Sequence, residues 1–440
     1  MKEITLEKLS HLSENYDKKT DQRILRRVLY NNDLATAFEV HEQNQKNQFK
    51  FSHEIKTLPV ANQKQSGRCW IFAGLNVIRE EVAKKYDLKQ FELSQNYTAF
   101  WDKFEKINYF MEAMDDFLDV DSDDRTLKHL LQTGIQDGGQ WDMFVALIEK
   151  YGVVPKEAME ETKASSSTRF MNRLINIKLR QYAAVVRKLF AEGKKDEIAG
   201  VKANYLDDFY TFLVTSFGKP PQTFDFEYVS KDKYHVIKDL TPQSFYNEIY
   251  GDRINDFVSV INSPTKDKPF MKTYTVAYLG NVVGGHDIKY INLEMNRLKE
   301  LVIKQLLNDE VVWFGSDVGR FGDRKKGVWD DGAYEFELLG LNFDMSKADQ
   351  LDYAQSLMTH AMVITGVHLE EGKPVRWKIE NSWGDATGQK GYYLASDSWF
   401  DQYVYQAVVD KKYLSKEEKA VWEEEPKVLK PWDPMGALAK

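Results

Sequence analysis

Apolar positions along the chain repeat with two periods. Good helix formers follow one another through residues 70–81, and in Trp141–Tyr151 the residues Phe144, Val145, Leu147 and Ile148 make an amphipathic helix that Gly152-Val153-Val154-Pro155 brings to a stop. Met171, Ile175, Leu179, Tyr182, Val186 and Leu189 recur at spacings of four and three, the apolar stripe of a longer helix, while Arg173, Arg180 and Arg187 recur every seven on another face. Later the pattern changes. Residues 357–366 form a short, partly β-branched apolar run, which reads as a strand bounded by Gly366. Trp377, Ile379 and Asn381 then alternate with Lys378 and Glu380, a strand ending at a Ser382-Trp383-Gly384 turn. Helices come first and strands later, with no repeats and no low-complexity tract.

Composition narrows the class. The 440 residues are 42% hydrophobic and 13% aromatic, enough for a sizeable core, and length alone predicts about three domains or one body with a large insertion. A net charge of −8 and an isoelectric point near 5.7 argue against general nucleic-acid affinity. No stretch approaches the ~18 apolar residues of a membrane span, and Met1-Lys2-Glu3-Ile4-Thr5 opens no apolar leader. A single cysteine excludes an intrachain disulfide and points to the cytoplasm. The Asn96-Tyr97-Thr98 sequon is then irrelevant. The eight histidines show no His-Glu-x-x-His pattern, a lone Cys makes no thiolate zinc site, and residues 322–327 are not followed by the Lys and Ser/Thr of a phosphate loop. These readings predict a protein with no metal and no cofactor.

The lone cysteine is the informative residue. Cys69 lies in Gln63-Lys64-Gln65-Ser66-Gly67-Arg68-Cys69-Trp70, where small, turn-forming residues lead into the predicted helix. A Cys in the first turn of a helix meets the positive end of the macrodipole, which favours thiolate over thiol. A buried hydrophobe is the plainer role for an isolated Cys. His360, in the strand at 357–366, is a candidate base, although a lone His is often a hydrogen-bonded core residue. Asn381, at a strand end, is a candidate orienter or simply a turn residue. Two neighbouring strands, one ending in His and one in Asn, are a natural way to hold an imidazole by its second nitrogen.

In that order, Cys, His and Asn resemble the papain-type cysteine peptidases, and more narrowly the cytosolic branch that contains bleomycin hydrolase and bacterial aminopeptidase C. The papain signature C-G-[SA]-C-[WY] stands here as Ser66-Gly67-Arg68-Cys69-Trp70, departing at Ser66 and Arg68. Residues 63–73, Asp137-Gly138-Gly139-Gln140-Trp141-Asp142, Trp313-Phe314-Gly315, residues 380–384 and the tail at 431–439 extend the likeness from about residue 45 onward. The resemblance implies an α+β, papain-like two-subdomain fold with a large helical insertion. It also implies Cys69 as nucleophile, His360 as acid and base, Asn381 as orienter under the shield of Trp383, and Gln63 in the oxyanion hole. Gly138 and Gly139 would line the substrate cleft.

Papain-type enzymes place the His and Asn roughly 130–150 residues after the Cys, and here His360 is far further along. The excess falls mostly between 160 and 290, because the core resumes near 298–307 and the apolar strand at 311–314. The expected organisation is an N-terminal segment (1–60), a helical subdomain with Cys69 (61–160), a mainly helical insertion (161–290), a β-rich subdomain with His360 and Asn381 (291–410) and a tail (411–440). Residues 162–202 carry ten Lys or Arg against three Asp or Glu. The resemblance makes this insertion an arm that joins subunits into a homohexameric ring, with nucleic acid at most a weak partner. It makes the tail a cleft-filling segment whose end, at Ala439, receives the free amine of peptide substrates. Lys440 is then expected to be trimmed by Cys69. The competing readings are a thiol endopeptidase with a mobile tail, a catalytically silent ring-forming binding protein, and a transglutaminase-like acyl transferase.

Overall fold

The computed structural model describes residues 1–439. Two layers, one helical and one of β-sheet, meet along a cleft, which makes this an α+β fold. The helical layer is built on Cys69–Tyr86, Gln95–Ala113 and Trp141–Tyr151. Cys69–Tyr86 is buried nearly all round, with Trp70, Ile71, Phe72, Leu75, Ile78 and Val82 in the core, as befits a helix at the centre of a large body.

The β layer is a 12-stranded sheet. At its centre Val312–Ser316 lies between His360–Glu370 and Val404–Asp410; Lys373–Glu380 and Tyr392–Ser396 extend one side, and Phe257–Ile261, Tyr290–Asn292 and Lys272–Val276 the other. Antiparallel register sets His360 opposite Ser316 and Val363 opposite Glu380. The end of one strand and the start of its neighbour therefore lie at the same edge of the cleft. Trp313 Nε1 donates to the Trp70 carbonyl at 3.2 Å, binding the sheet to the Cys69 helix.

Two expectations need correcting. The strand that begins at His360 does not stop at Gly366 but runs through it to Glu370. Gly366 marks a register shift and a close approach, since a Cβ there would lie 2.8 Å from the His53 carbonyl oxygen. Helix also does not dominate all of 161–290. Arg169–Ala191, Ile198–Phe217 and Pro242–Ile249 are helices, but the hairpin Phe224–Ser230 with Lys233–Leu240 and three strands of the large sheet share the segment with them. Phe257–Ile261 is buried at every position, so its pattern shows no alternation.

The long helix Arg169–Ala191 buries Met171, Ile175, Leu179, Tyr182 and Val186 against the body, as its stripe predicts. Its arginines are less free than their spacing implies. Arg180 donates to the carbonyls of Leu131 and Gln132 at 2.7 and 3.1 Å, and Arg187 to those of Phe117 and Val120. Two of the three therefore tie the helix to the body.

Candidate active site

Cys69 is the first residue of its helix, and no side chain caps that end. The Cys69 and Trp70 N–H groups are left for an anion to use, while that of Ile71 donates to the Arg68 carbonyl at 3.0 Å. Cys69 is 4% exposed, and its Sγ accepts the Ala361 N–H at 3.4 Å, which sets the sulfur one residue from His360. His360 Nε2 pairs with Asn381 Oδ1 at 2.9 Å. With Nε2 turned to Asn381, Nδ1 is the nitrogen free for the cleft. The indole of Trp383 lies against the imidazole at 4.9 Å between ring centroids and covers that pair. Burial pushes the Cys69 thiol up to about 11 and holds His360 down to about 4, although Asn381 works in the opposite direction on the imidazole.

Gln63 reaches the site through backbone pairing, its N–H donating to the Ser382 carbonyl at 2.8 Å. Its side-chain oxygen accepts from Ser382 Oγ at 2.5 Å and its amide nitrogen donates to the Ser66 carbonyl at 2.6 Å. One of the two amide hydrogens remains for a ligand. The sequence thus brings Gln63, Cys69, His360, Asn381 and Trp383 into one cleft.

What holds the loop before Cys69 was not legible in the sequence. Asp137 Oδ2 accepts the Gly67 N–H at 2.9 Å, and the same carboxylate takes Lys103 Nζ at 2.6 Å, Asn172 Nδ2 at 2.8 Å and the Thr168 hydroxyl. Burial alone would raise its pKa, but Lys103 and these hydrogen bonds outweigh it and hold the carboxyl well below the usual range. Arg68, only 1% exposed, makes a bidentate pair with Glu161 at 3.0 Å and donates to Ser66 Oγ at 2.9 Å. Where papain-type signatures have a small residue, this chain has a buried guanidinium binding the loop to the start of the insertion. Arg68 in that motif was the only available signal.

The tail enters from the other side of the cleft. Trp432 lies under Arg125, with Cζ 3.8 Å from the ring centroid, and Asp433 pairs with the buried Lys268 at 3.0 Å. Met435 is fully buried, and its carbonyl accepts from Gln140 Nε2 and Tyr290 OH. A Cβ on Gly138 would fall 2.1 Å from the Leu438 carbonyl oxygen, so this glycine faces the tail directly. Gly139 differs, because the space its Cβ would fill is taken by the Trp70 indole. Its missing side chain serves packing, not substrate approach. Ala439 is half-buried beside a cavity lined by Tyr109, Leu130 and Leu279. Lys440, the residue expected to be trimmed, lies outside the described residues.

The model of the Peptidase C1-like family matches residues 3–436. The chain belongs to this family. Aminopeptidase C of Lactococcus lactis subsp. lactis is 48% identical over 438 residues, 99% of this chain and 100% of that protein. Bleomycin hydrolase of Gallus gallus is 43% identical over 403 residues, 89% of each chain. The crystal structure of PepW from Lactobacillus rhamnosis HN001 superposes with a TM-score of 0.97 at 48% identity, covering 99% of both chains. Family membership makes this protein a cysteine peptidase of the papain-like kind. Among the described residues no helix is long and apolar enough to cross a membrane.

Proposed function

We propose that the protein is a cytoplasmic cysteine aminopeptidase, releasing residues from the free N-termini of peptides by acyl transfer through Cys69. A cysteine peptidase with one cysteine leaves no other nucleophile. Ionising Cys69 or His360 alone is unfavourable in this buried site, so the thiolate forms by proton transfer from thiol to imidazole, which creates both charges together at a helix N-terminus. The thiolate attacks the peptide carbonyl, whose oxygen takes the spare Gln63 amide hydrogen and the Cys69 backbone N–H. His360, held by Asn381, gives its proton to the departing amine and then removes one from the water that releases the acyl group.

The observation that carries the aminopeptidase reading is the contact of Leu438 with Gly138. A tail lying on the cleft floor leaves little room for residues ahead of the scissile bond, so a substrate must begin there. Bleomycin-type amides are within the scope of the same chemistry. An apolar row on the insertion helix supports the hexameric ring, because Phe170, Leu174 and Ile177 are exposed on the face away from the body.

Matched fluorogenic amides, one with a free α-amine and one N-acylated, test this reading with and without a thiol alkylating agent. Alkylation-sensitive cleavage of only the free-amine substrate is expected. Comparable cleavage of the blocked substrate would establish an endopeptidase, and cleavage of neither would leave a binding protein.

A further inference from the structure

The side of the cleft opposite the tail carries a cation that the mechanism above does not use. Arg324 stands over the Trp383 indole with Cζ 4.5 Å from the ring centroid, and the same indole lies against His360. Stacking of this kind fixes the plane of a guanidinium; the Tyr393 hydroxyl takes up one side of the fork, and the rest of this exposed side chain is left to solvent. The turn that carries it is built firmly. Asp323 accepts the N–H groups of Lys325 and Lys326 at 3.0 and 2.9 Å, and the Tyr393 hydroxyl donates to the Arg324 carbonyl at 3.3 Å. Neighbouring Lys326 is taken up by Glu39 and Asp323. Among the described residues, Arg324 forms no ion pair with a carboxylate. Burial is the main influence that lowers the His360 pKa, yet Arg324's charge contributes in the same direction, so the guanidinium acts on the imidazole electrostatically.

Chemistry decides which part of a substrate lies there. His360 must reach the leaving amine, and the tail fills the cleft on the acyl side of Cys69. The leaving portion can therefore only run past His360 and over Trp383. At ~3.4 Å per residue of extended chain, its first two residues pass the guanidinium.

Resting on the aminopeptidase reading, we propose that Arg324 is a specificity-determining residue that binds a carboxylate within the first two residues beyond the scissile bond. The α-carboxylate of a di- or tripeptide and an acidic side chain offer the same chemistry, a planar pair of oxygens matched to the guanidinium fork. Short peptides and acidic leaving segments are then the favoured substrate class.

The test compares wild type with Arg324→Ala and Arg324→Lys on five substrates. These are a neutral aminoacyl fluorogenic amide, the tripeptide Ala-Ala-Ala, its C-terminal amide, and the amidated tripeptides Ala-Asp-Ala and Ala-Asn-Ala. For an exposed charge pair the preference for a carboxylate-bearing substrate should be about 5-fold in kcat/KM, carried mainly by KM. It should vanish in Arg324→Ala and partly survive in Arg324→Lys; each preference is a ratio within one variant, so any general change at His360, which the neutral amide reports, cancels. Preference for free over amidated Ala-Ala-Ala identifies the α-carboxylate as the ligand, and preference for Asp over Asn the side chain. An equal preference in Arg324→Ala, or none in wild type, would overturn the proposal while neutral-amide turnover still upheld the aminopeptidase. Wild type inactive on every substrate would sink both.

Discussion

Arg79 and Glu380 form an ion pair at 2.7 Å, with each side chain about 1% exposed, between the helix that begins at Cys69 and the last residue of the strand that precedes Asn381. Asn76 Nδ2 donates to the same carboxylate oxygen at 2.8 Å, and Arg79 also donates to the carbonyls of Leu58 and Pro59. The proposed nucleophile and orienter are thus clamped from beneath by charges that touch neither of them. Removing one member of a buried pair costs on the order of 3–5 kcal/mol. Glu380→Gln and Arg79→Met should each lose about that much in urea unfolding, while a double replacement by apolar residues should lose less than the sum. Additive losses would mean that the two residues stabilise the fold independently.

Gln63 makes a different prediction, on rate. Its amide nitrogen already donates to Ser66, and the remaining hydrogen is proposed for the oxyanion. Gln63→Ala should lower kcat on a free-amine amide by about 10²–10³ and leave KM much less affected. Alkylation of Cys69 should still proceed, since the thiol is untouched. Wild-type kcat would remove Gln63 from the chemistry.

The tail can be shortened without losing its anchor. Met435, Asp433 and Trp432 hold it, so deleting residues 437–440 frees the floor at Gly138 and keeps the rest in place. The truncated enzyme should gain cleavage of N-acylated peptides that the full chain does not cut. No gain would exclude the tail as the element that selects free N-termini. Intact mass of the full-length chain follows the fate of Lys440: active enzyme should lack it, and a Cys69→Ala variant should retain it.

Asp137 links stability to pH. Its native pKa lies below the ~3.9 of an unfolded aspartate, so its contribution is complete above that value and is lost as pH falls toward the native one. Asp137→Asn should be less stable than wild type at pH 7, because Lys103 is left buried without its partner. Its stability should then fall less steeply between about pH 4 and pH 2. Urea midpoints at pH 7, 4 and 3 measure both effects. Parallel pH curves would show that this carboxyl does not titrate with unfolding.

Much of the site could be read in the sequence because its residues sit where local pattern is strongest. Cys69 opens a helix, His360 opens a strand and Asn381 follows one. The helix Trp141–Tyr151 has the bounds its stripe and its glycine stop predict. The strands after residue 220 were hidden for two different reasons. Phe257–Ile261 is buried on both faces and so has no period to detect. Phe224–Ser230 does alternate, and its turn at Lys231 and Asp232 has both φ values near +50°, a conformation that glycine or asparagine would have advertised and that Lys conceals. The ties on Arg68, Arg79 and Asp137 span tens to hundreds of residues. Such contacts leave no periodic trace, because a buried charge looks in sequence like any charge on a surface.

Gly138 gives the tail no slack. Its carbonyl is held by Lys106 Nζ at 2.5 Å, so the floor cannot retreat, and the Leu438 oxygen occupies the place of its missing Cβ. Floor and tail therefore fit only as a pair, although most of the chain separates them. A methyl group at 138 would expel the end of the chain, and on the proposed function the cleft would then open to peptides that lack a free N-terminus.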